Sequence, residues 1–399
     1  MALVVALLML MMTTLLGVAA VNRSSTDTHI SGNQRVSVES FYVAESGVNE
    51  LKGRFTPGAT SEITDTTASN TVESTPPWRL ILAKDTARAS QVASALNVAS
   101  YTFVQSLQNQ LDFGVEIKHK VDASNNIVKK GGVPVYILRS YGSTANGARK
   151  IIELEMSKLQ GAEPQGAIYT ERPININGSS TYIQGTDACG TQNKPGIAST
   201  LPNSSSNLGI SGNPTIDGTP KITFDGKDLS VQFNTEDQDL RGLLNRLKDS
   251  ADYTYSYGSN QTLTGYSDQW GTPTNPGTET PITYDGAMKI VYFDMNRTNT
   301  LKLSGGSHGA GILLVNGNLE LNGGFTWYGV IIVTGALDFT GGGQKNVTGG
   351  VMTGETATVE IDVGGNAGII YCSSAVNKVK DKTKNLIPAF RVTRWKEVF

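Results

Sequence analysis

The chain has 399 residues, and its 33 basic and 35 acidic side chains leave a formal net charge of −2, which gives no reason to expect nucleic acid. Two cysteines (Cys189, Cys372) are too few for a disulfide scaffold or a cysteine metal site, and three isolated histidines (His29, His119, His308) exclude a histidine-clustered one. Only 17% of residues are charged while Gly numbers 44, a composition that suits turn-rich β structure, and the length predicts two or more domains.

Residues 2–21 carry no charge, and their only polar side chains are Thr13 and Thr14. Twenty helical residues at about 1.5 Å each reach roughly 30 Å, the thickness of a bilayer's hydrocarbon core. Helical patterning continues beyond the first charge, Arg23. Val36, Phe41, Ala44, Val48, Leu51 and Phe55 recur at three-to-four spacing between Arg35, Glu39, Glu45, Glu50 and Lys52. The pattern predicts one long helix, apolar all round and then amphipathic, with a break-prone Gly32-Asn33 pair. A cleaved secretory signal would use Val18-Ala19-Ala20, but the apolar run exceeds the usual length of about 7–15 residues and lacks a basic start. A plain single-span anchor is a second alternative.

The run ALVVALLMLMMTTLLGVAAV, then HISGNQR, then SFYVAESGVNEL, resembles the N-terminal segment of PilX-type minor pilins over residues 2–55. That family has a similar stem, a Gly-Asn pair and an aromatic-x-Ala-Glu-x-Gly turn of helix. The resemblance implies a non-enzymatic structural subunit of a type IV pilus or related pseudopilus, at its tip or in its assembly, with adhesion a further role. Its partners would be other pilins or minor pilins through the helix, the inner membrane before assembly and a tip adhesin. It would sit anchored in the inner membrane, facing the periplasm, and then on the surface pilus. Two departures stand out. No basic leader ending in glycine precedes Ala2, so the prepilin peptidase site is absent or the start lies inside the gene. Val5 stands where major pilins have a glutamate, which argues for a minor role.

Residues 56–77, rich in Ser, Thr and Pro, are expected to be a linker. Residues 78–165 form an expected pilin-like α+β body. It has a strand at 78–83, partial helix over 85–111, and three strands at 113–121, 133–141 and 148–159 separated by Gly-containing turns at 131–132 and 142–147. An antiparallel meander on the first helix is the expected arrangement.

From residue 166 the pattern becomes a repeat. Leu301-Lys-Leu303, Leu319-Glu-Leu321 and Leu337-Asp-Phe339 recur every 18 residues, and Val359-Glu-Ile361 follows after 22. Gly311-Ile-Leu-Leu-Val315 and Gly329-Val-Ile-Ile-Val333 keep the same step, followed by Gly350-Val-Met352 and Gly368-Ile-Ile-Tyr371. The period predicts a parallel β-helix over 166–375 with interior columns Leu301, Leu319, Leu337, Val359 and Leu303, Leu321, Phe339, Ile361. An insertion is expected over 186–281, containing a hairpin around Asp225-Gly226, a helix over 235–249 capped by Thr235, and a polar aromatic loop. Residues 376–399 are expected to supply a strand capping the β-helix.

The outward column Asn175, Lys302, Glu320, Asp338, Glu360 is the strongest candidate for carbohydrate-active or calcium chemistry, and a membrane-tethered carbohydrate-binding or carbohydrate-cleaving β-helix is the alternative function. Any outward column must be polar, however, and Lys302 can offset Glu320. No catalytic, cofactor or metal residue is assigned. Residues 234–239 lack the glycine and final glutamate of an EF-hand. The segment Gly305-Gly-Ser-His-Gly-Ala-Gly311 lacks a following Lys-Ser/Thr, and Ser307-His308 has no positioned acid. Asn22, Asn177, Asn203, Asn260, Asn296 and Asn346 fit Asn-x-Ser/Thr mostly by composition. Cys189 and Cys372 are a disulfide candidate if the stem exports the rest of the chain. Joining them requires the rung at 166–185 to pack beside the last one, or the chain from Thr186 to run along the stack; two free buried thiols are the alternative.

Overall fold

The computed structural model describes residues 2–55, 79–108, 110–130, 133–158, 161–235, 237–265, 269–271, 288–339, 344–354, 361–383 and 390–398. The expected linker, Trp78, Val359 and Glu360 lie outside the described residues. Two compact units are present: Met1–Lys130 with Pro134–Lys158 and Ala389–Phe399, and Gly131–Val133 with Leu159–Pro388.

In the first unit, helix α1 (Ala2–Arg54) runs without interruption through Gly32-Asn33. Behind its C-terminal third lies a sheet ordered Thr102–Gln105, Arg79–Ala83, Phe113–His119, Val133–Ser143, Arg149–Lys158, Phe390–Val398. The first pair is parallel and the rest antiparallel. Alternation decides what each face meets. Phe113, Val115 and Ile117 join Ala44, Val48 and Leu51 of α1 and Phe55 just after it in one core, while Glu116 between them meets Arg79 at 2.8 Å. A second helix, α2 (Thr86–Ala95), is capped by the Asp85 carboxylate, which accepts from the Arg88 N–H, and α2 joins Ile81 and Ala83 in a separate small core.

The C-terminal strand does not cap the second unit. Phe390–Val398 pairs antiparallel with Arg149–Lys158, so the second unit is an insertion between two neighbouring strands of the first unit's sheet. The reach from residue 158 to residue 390 is invisible to local pattern, and a strand of either assignment has the same composition.

The second unit is built from two parallel sheets. The smaller one runs Leu208–Ile210, Ile174–Ile176, Ile361–Val363, Leu337–Phe339, Asn318–Leu321, Thr300–Ser304, Gln261–Thr264. The spine of the larger one runs Thr215–Asp217, Tyr182–Gln184, Asn366–Tyr371, Gln344–Thr353, Thr326–Val333, His308–Asn316, Lys289–Asp294, Tyr253–Ser256. The chain therefore enters the stack one turn in from an end and adds that end turn outward. It crosses to the far end and fills back until Asn366–Tyr371 pairs with Tyr182–Gln184. Most of the expected insertion belongs to this stack. The polar stretch taken for a loop supplies two strands, Tyr253–Ser256 and Gln261–Thr264, that pair in register with Val291 and Leu301 and their neighbours.

Register corrects the expected columns. Leu301, Leu319 and Leu337 stack as expected, but Ile361 follows Leu337 and Val363 follows Phe339. A slip of two residues keeps every inward position inward, so alternation cannot detect it. The glycine series also moves: Gly349, not Gly350, stacks on Gly329, and Gly368 lies opposite Asn346.

The runs ILLV and VIIV are apolar on both faces because both faces are covered. Helices α3 (Leu240–Leu247) and α4 (Ser373–Thr383) lie against the larger sheet, and Leu314, Ile332, Met352 and Tyr169, on the same face, are buried. The Asp239 carboxylate caps α3 by accepting from the Gly242 N–H. Thr235 is not the cap, because the helix begins only at Leu240; Thr235 is still tied to the preceding strand, its N–H donating to the Ser199 carbonyl.

Gly311, Gly329 and Gly349 form a corner with φ of +122°, +129° and +139°. A Cβ on Gly329 would stand 2.0 Å from the Gly311 carbonyl oxygen, and one on Gly349 would stand 2.0 Å from that of Gly329. Gly329→Ala should therefore destabilise the second unit by more than about 4 kcal/mol. Gly306→Ala, at φ +80° with no atom within 4 Å of the added Cβ, should cost only about 1–2 kcal/mol. Thermal melts of the two variants test this; equal losses would mean that the corner has room to relax.

Candidate functional site

The outward column is a row of neighbours: Asn175, Asp362, Asp338, Glu320 and Lys302 lie on successive strands. Asp362 takes the place expected of Glu360, as the two-residue slip requires. The Lys302 ammonium pairs with Glu320, and the Asn322 amide donates to the same carboxylate at 2.7 Å. Among the described residues, no group of three His, Cys, Asp or Glu side chains is placed to hold a metal. Ser307 donates to the Ser304 carbonyl and the His308 ring meets the Gly306 carbonyl, so this pair is tied into its own turn.

At the seam where the last strands meet the first, Cys189 and Cys372 form a disulfide with Cα atoms 5.1 Å apart. The arrangement that permits it is the first rung packed beside the last. Next to it stands Asp187, which sequence reading passed over. Its carboxylate accepts the N–H groups of Cys189 and Ser373 at 3.1 and 3.0 Å and that of Gln192 at 2.9 Å. One side chain thus ties the 186–194 loop to the first residue of α4. Burial pushes the Asp187 carboxyl up, but these donors outweigh it and hold it below the usual carboxylate range. The available signal was an Asp two residues before a Cys, ordinary turn chemistry.

The stem has a different design. Every residue from 3 to 35 is exposed, and α1 is the one described helix long and apolar enough to cross a membrane, with a mean hydropathy of 2.5 in its most apolar window. Its lower part is seated on the sheet by small residues. A Cβ on Gly47 would stand 2.7 Å from Val115 and 2.8 Å from Phe113, and one on Gly142 would stand 2.2 Å from the Ser40 carbonyl oxygen. Ser140 closes the contact by donating to the Ala44 carbonyl at 2.6 Å. The aromatic-x-Ala-Glu-x-Gly stretch, Tyr42 to Gly47, therefore works through close approach: Ala44 and Gly47 face the sheet while Glu45 faces solvent. Gly142, expected in a turn, is its partner inside the strand. One turn on, Glu50 accepts from the Ser106 hydroxyl, the Leu107 N–H and Arg54 at 2.6–2.8 Å. Burial raises its pKa, and these partners more than offset that.

The family model described as PilX N-terminal matches residues 1–49. Residues 1–49 are thus similar to the N-terminal segment of PilX-type proteins. The match ends within α1, and the largely β remainder lies beyond it. A solved structure, the competence-associated pilin ComZ from Thermus thermophilus, is similar over 91% of this chain and 97% of its own, at 13% identity. Its TM-score is 0.27, too low to carry an argument. No curated protein matches the chain.

The seam generates two measurable outcomes. Peptide mapping without reduction should return Cys189 and Cys372 in one linked pair; two separately alkylated peptides would refute the bond. Asp187→Ala leaves three N–H groups without their acceptor and should cost about 2 kcal/mol or more at neutral pH. Because the folded pKa is depressed, this contribution is present above the unfolded value and is lost as pH falls through the folded one. The stability gap between wild type and variant should therefore close on acidification, and a gap independent of pH would assign the loss to packing alone.

Proposed function

We propose that the protein is a minor-pilin-like structural subunit of a type IV pilus or related pseudopilus, with its second unit wound as a parallel β-helix. The observation that carries the reading is α1: a segment similar to the PilX N-terminal family, exposed over residues 3–35 and seated lower down by Ala44 and Gly47 on the antiparallel part of the sheet. The exposed, largely apolar run of residues 3–21 needs a partner, and the bilayer followed by the stems of other pilins supplies one. Val5 in place of a carboxylate suits a minor subunit. The reading includes a place at or near the tip, where a subunit enlarged by a 230-residue insertion (Leu159–Pro388) has room.

The β-helix reading rests on parallel pairing at steps of 18 residues and on the glycine corner. The column of Asp362, Asp338, Glu320 and Lys302 is then a solvated outer surface, and the function is structural rather than catalytic.

Leu8→Arg puts a charge in the middle of the apolar run, at a cost of about 2.5–3.5 kcal/mol of insertion. The variant should leave the membrane fraction, and filaments sheared from cells should contain the wild-type chain but not the variant. Unchanged fractionation, or a mature N-terminus near Val21, would replace this reading with that of a cleaved signal.

A further inference from the structure

On the face formed by residues 308–310, 326–328, 346–348, 368–370 and 182–184, side chains stack in register from strand to strand. Asn346, Gly368 and Tyr182 occupy successive places in one column. Gly368 contributes no side chain, so its neighbours stand about 9.5 Å apart across a notch, two strand spacings. The notch is a cavity of about 220 Å³, bordered also by Ser180, Asn366 and Ile370.

Three features define what fits. None of the bordering side chains carries a charge, so an ionic ligand would lose its hydration without a counter-charge. The Tyr182 hydroxyl is tied to the Gln184 side-chain carbonyl, and the Gln184 amide to the Thr186 carbonyl, which holds the ring as a fixed wall. Asn346 is 5% exposed and its Nδ2 has no hydrogen-bond partner among the described residues; a buried amide left in that state is stabilised by any acceptor brought to it. Rotating the carboxamide exchanges its donor and acceptor ends toward the cavity. A single aromatic wall, an apolar side at Ile370, and amides with a hydroxyl around the rim suit a saturated ring carrying hydroxyl groups. A flat base is typically held between stacked aromatic platforms along a basic groove, and the lining has one aromatic ring and no basic side chain.

We propose that this notch binds one neutral sugar ring, its C–H face against Tyr182 and Ile370 and its hydroxyls on Asn346, Asn366 and Ser180. The site stands apart from filament assembly. A chain that binds sugar but stays out of pili overturns the assembly reading alone, and a pilus subunit blind to sugars overturns this one alone.

The test uses the full chain in a zwitterionic, sugar-free detergent and saturation-transfer NMR with glucose, galactose, mannose, N-acetylglucosamine and N-acetylgalactosamine, each at tens of millimolar. Adenosine and N-acetylneuraminic acid serve as flat and charged controls. At least one neutral sugar should show transfer with a millimolar Kd. Gly368→Leu, which fills the notch, should abolish it, and Tyr182→Ala should weaken it at least tenfold with the melting transition retained. Should Gly368→Leu fail to fold, Tyr182→Ala decides. No transfer to any neutral sugar, transfer unchanged in a folded variant, or transfer only to a control overturns the proposal.

Discussion

Strand Asn366–Tyr371 has two neighbours: one closes about twenty residues upstream, the other lies nearly two hundred residues back at Tyr182–Gln184. In a parallel stack every rung needs the next one, since an open rung leaves a row of backbone N–H and C=O groups unpaired. Because the chain enters the stack one turn in from an end and not at the end itself, the interior of the second unit is complete only when the last rung meets the first. The disulfide spans 183 residues at this seam, and Asp187 gathers three N–H groups beside it. Loop-closure arguments assign roughly 5 kcal/mol to so long a closure, with delivered values often smaller.

Closure also explains where the helices lie. Helix α3 follows the outward turn and precedes the far-end strands, and α4 begins at the residue after Cys372. Both lie against the larger sheet. That face could then become as apolar as the interior, which is why its strands are continuous hydrophobic runs and those of the smaller sheet alternate. The glycine corner is the complementary constraint. With carbonyl oxygens 2.0 Å from the place of each missing Cβ, the bend exists only because those positions have no side chain.

The first unit solves a separate problem: holding a helix against a sheet while half of that helix stays bare. Large side chains fill the core around Leu51 and Phe55, and the tightest approach uses the smallest residues, Gly47 against Val115 and Gly142 against Ser40. Helix and sheet are thereby locked at one place, leaving residues 3–35 to meet other partners.

Much of this was legible in the residues. The apolar stem, its amphipathic continuation and the 18-residue step are local or periodic signals, and periodicity survives without a structure because side-chain direction repeats with the backbone. The Leu301, Leu319, Leu337 column and the Lys302–Glu320 pair follow from that repeat. What periodicity cannot carry is identity between equivalent positions. A slip of two residues moved Ile361 and Val363 without changing a single inward assignment, and Asp362 replaced Glu360 by the same slip. Nor can it carry topology. That residues 168–184 pack beside 361–371, that 253–264 begin the far end, and that the last strand returns to Arg149–Lys158 are choices among partners of equal local propensity. Those choices are decided by which long-range pairing leaves no backbone group and no apolar face uncovered, a condition of the whole fold.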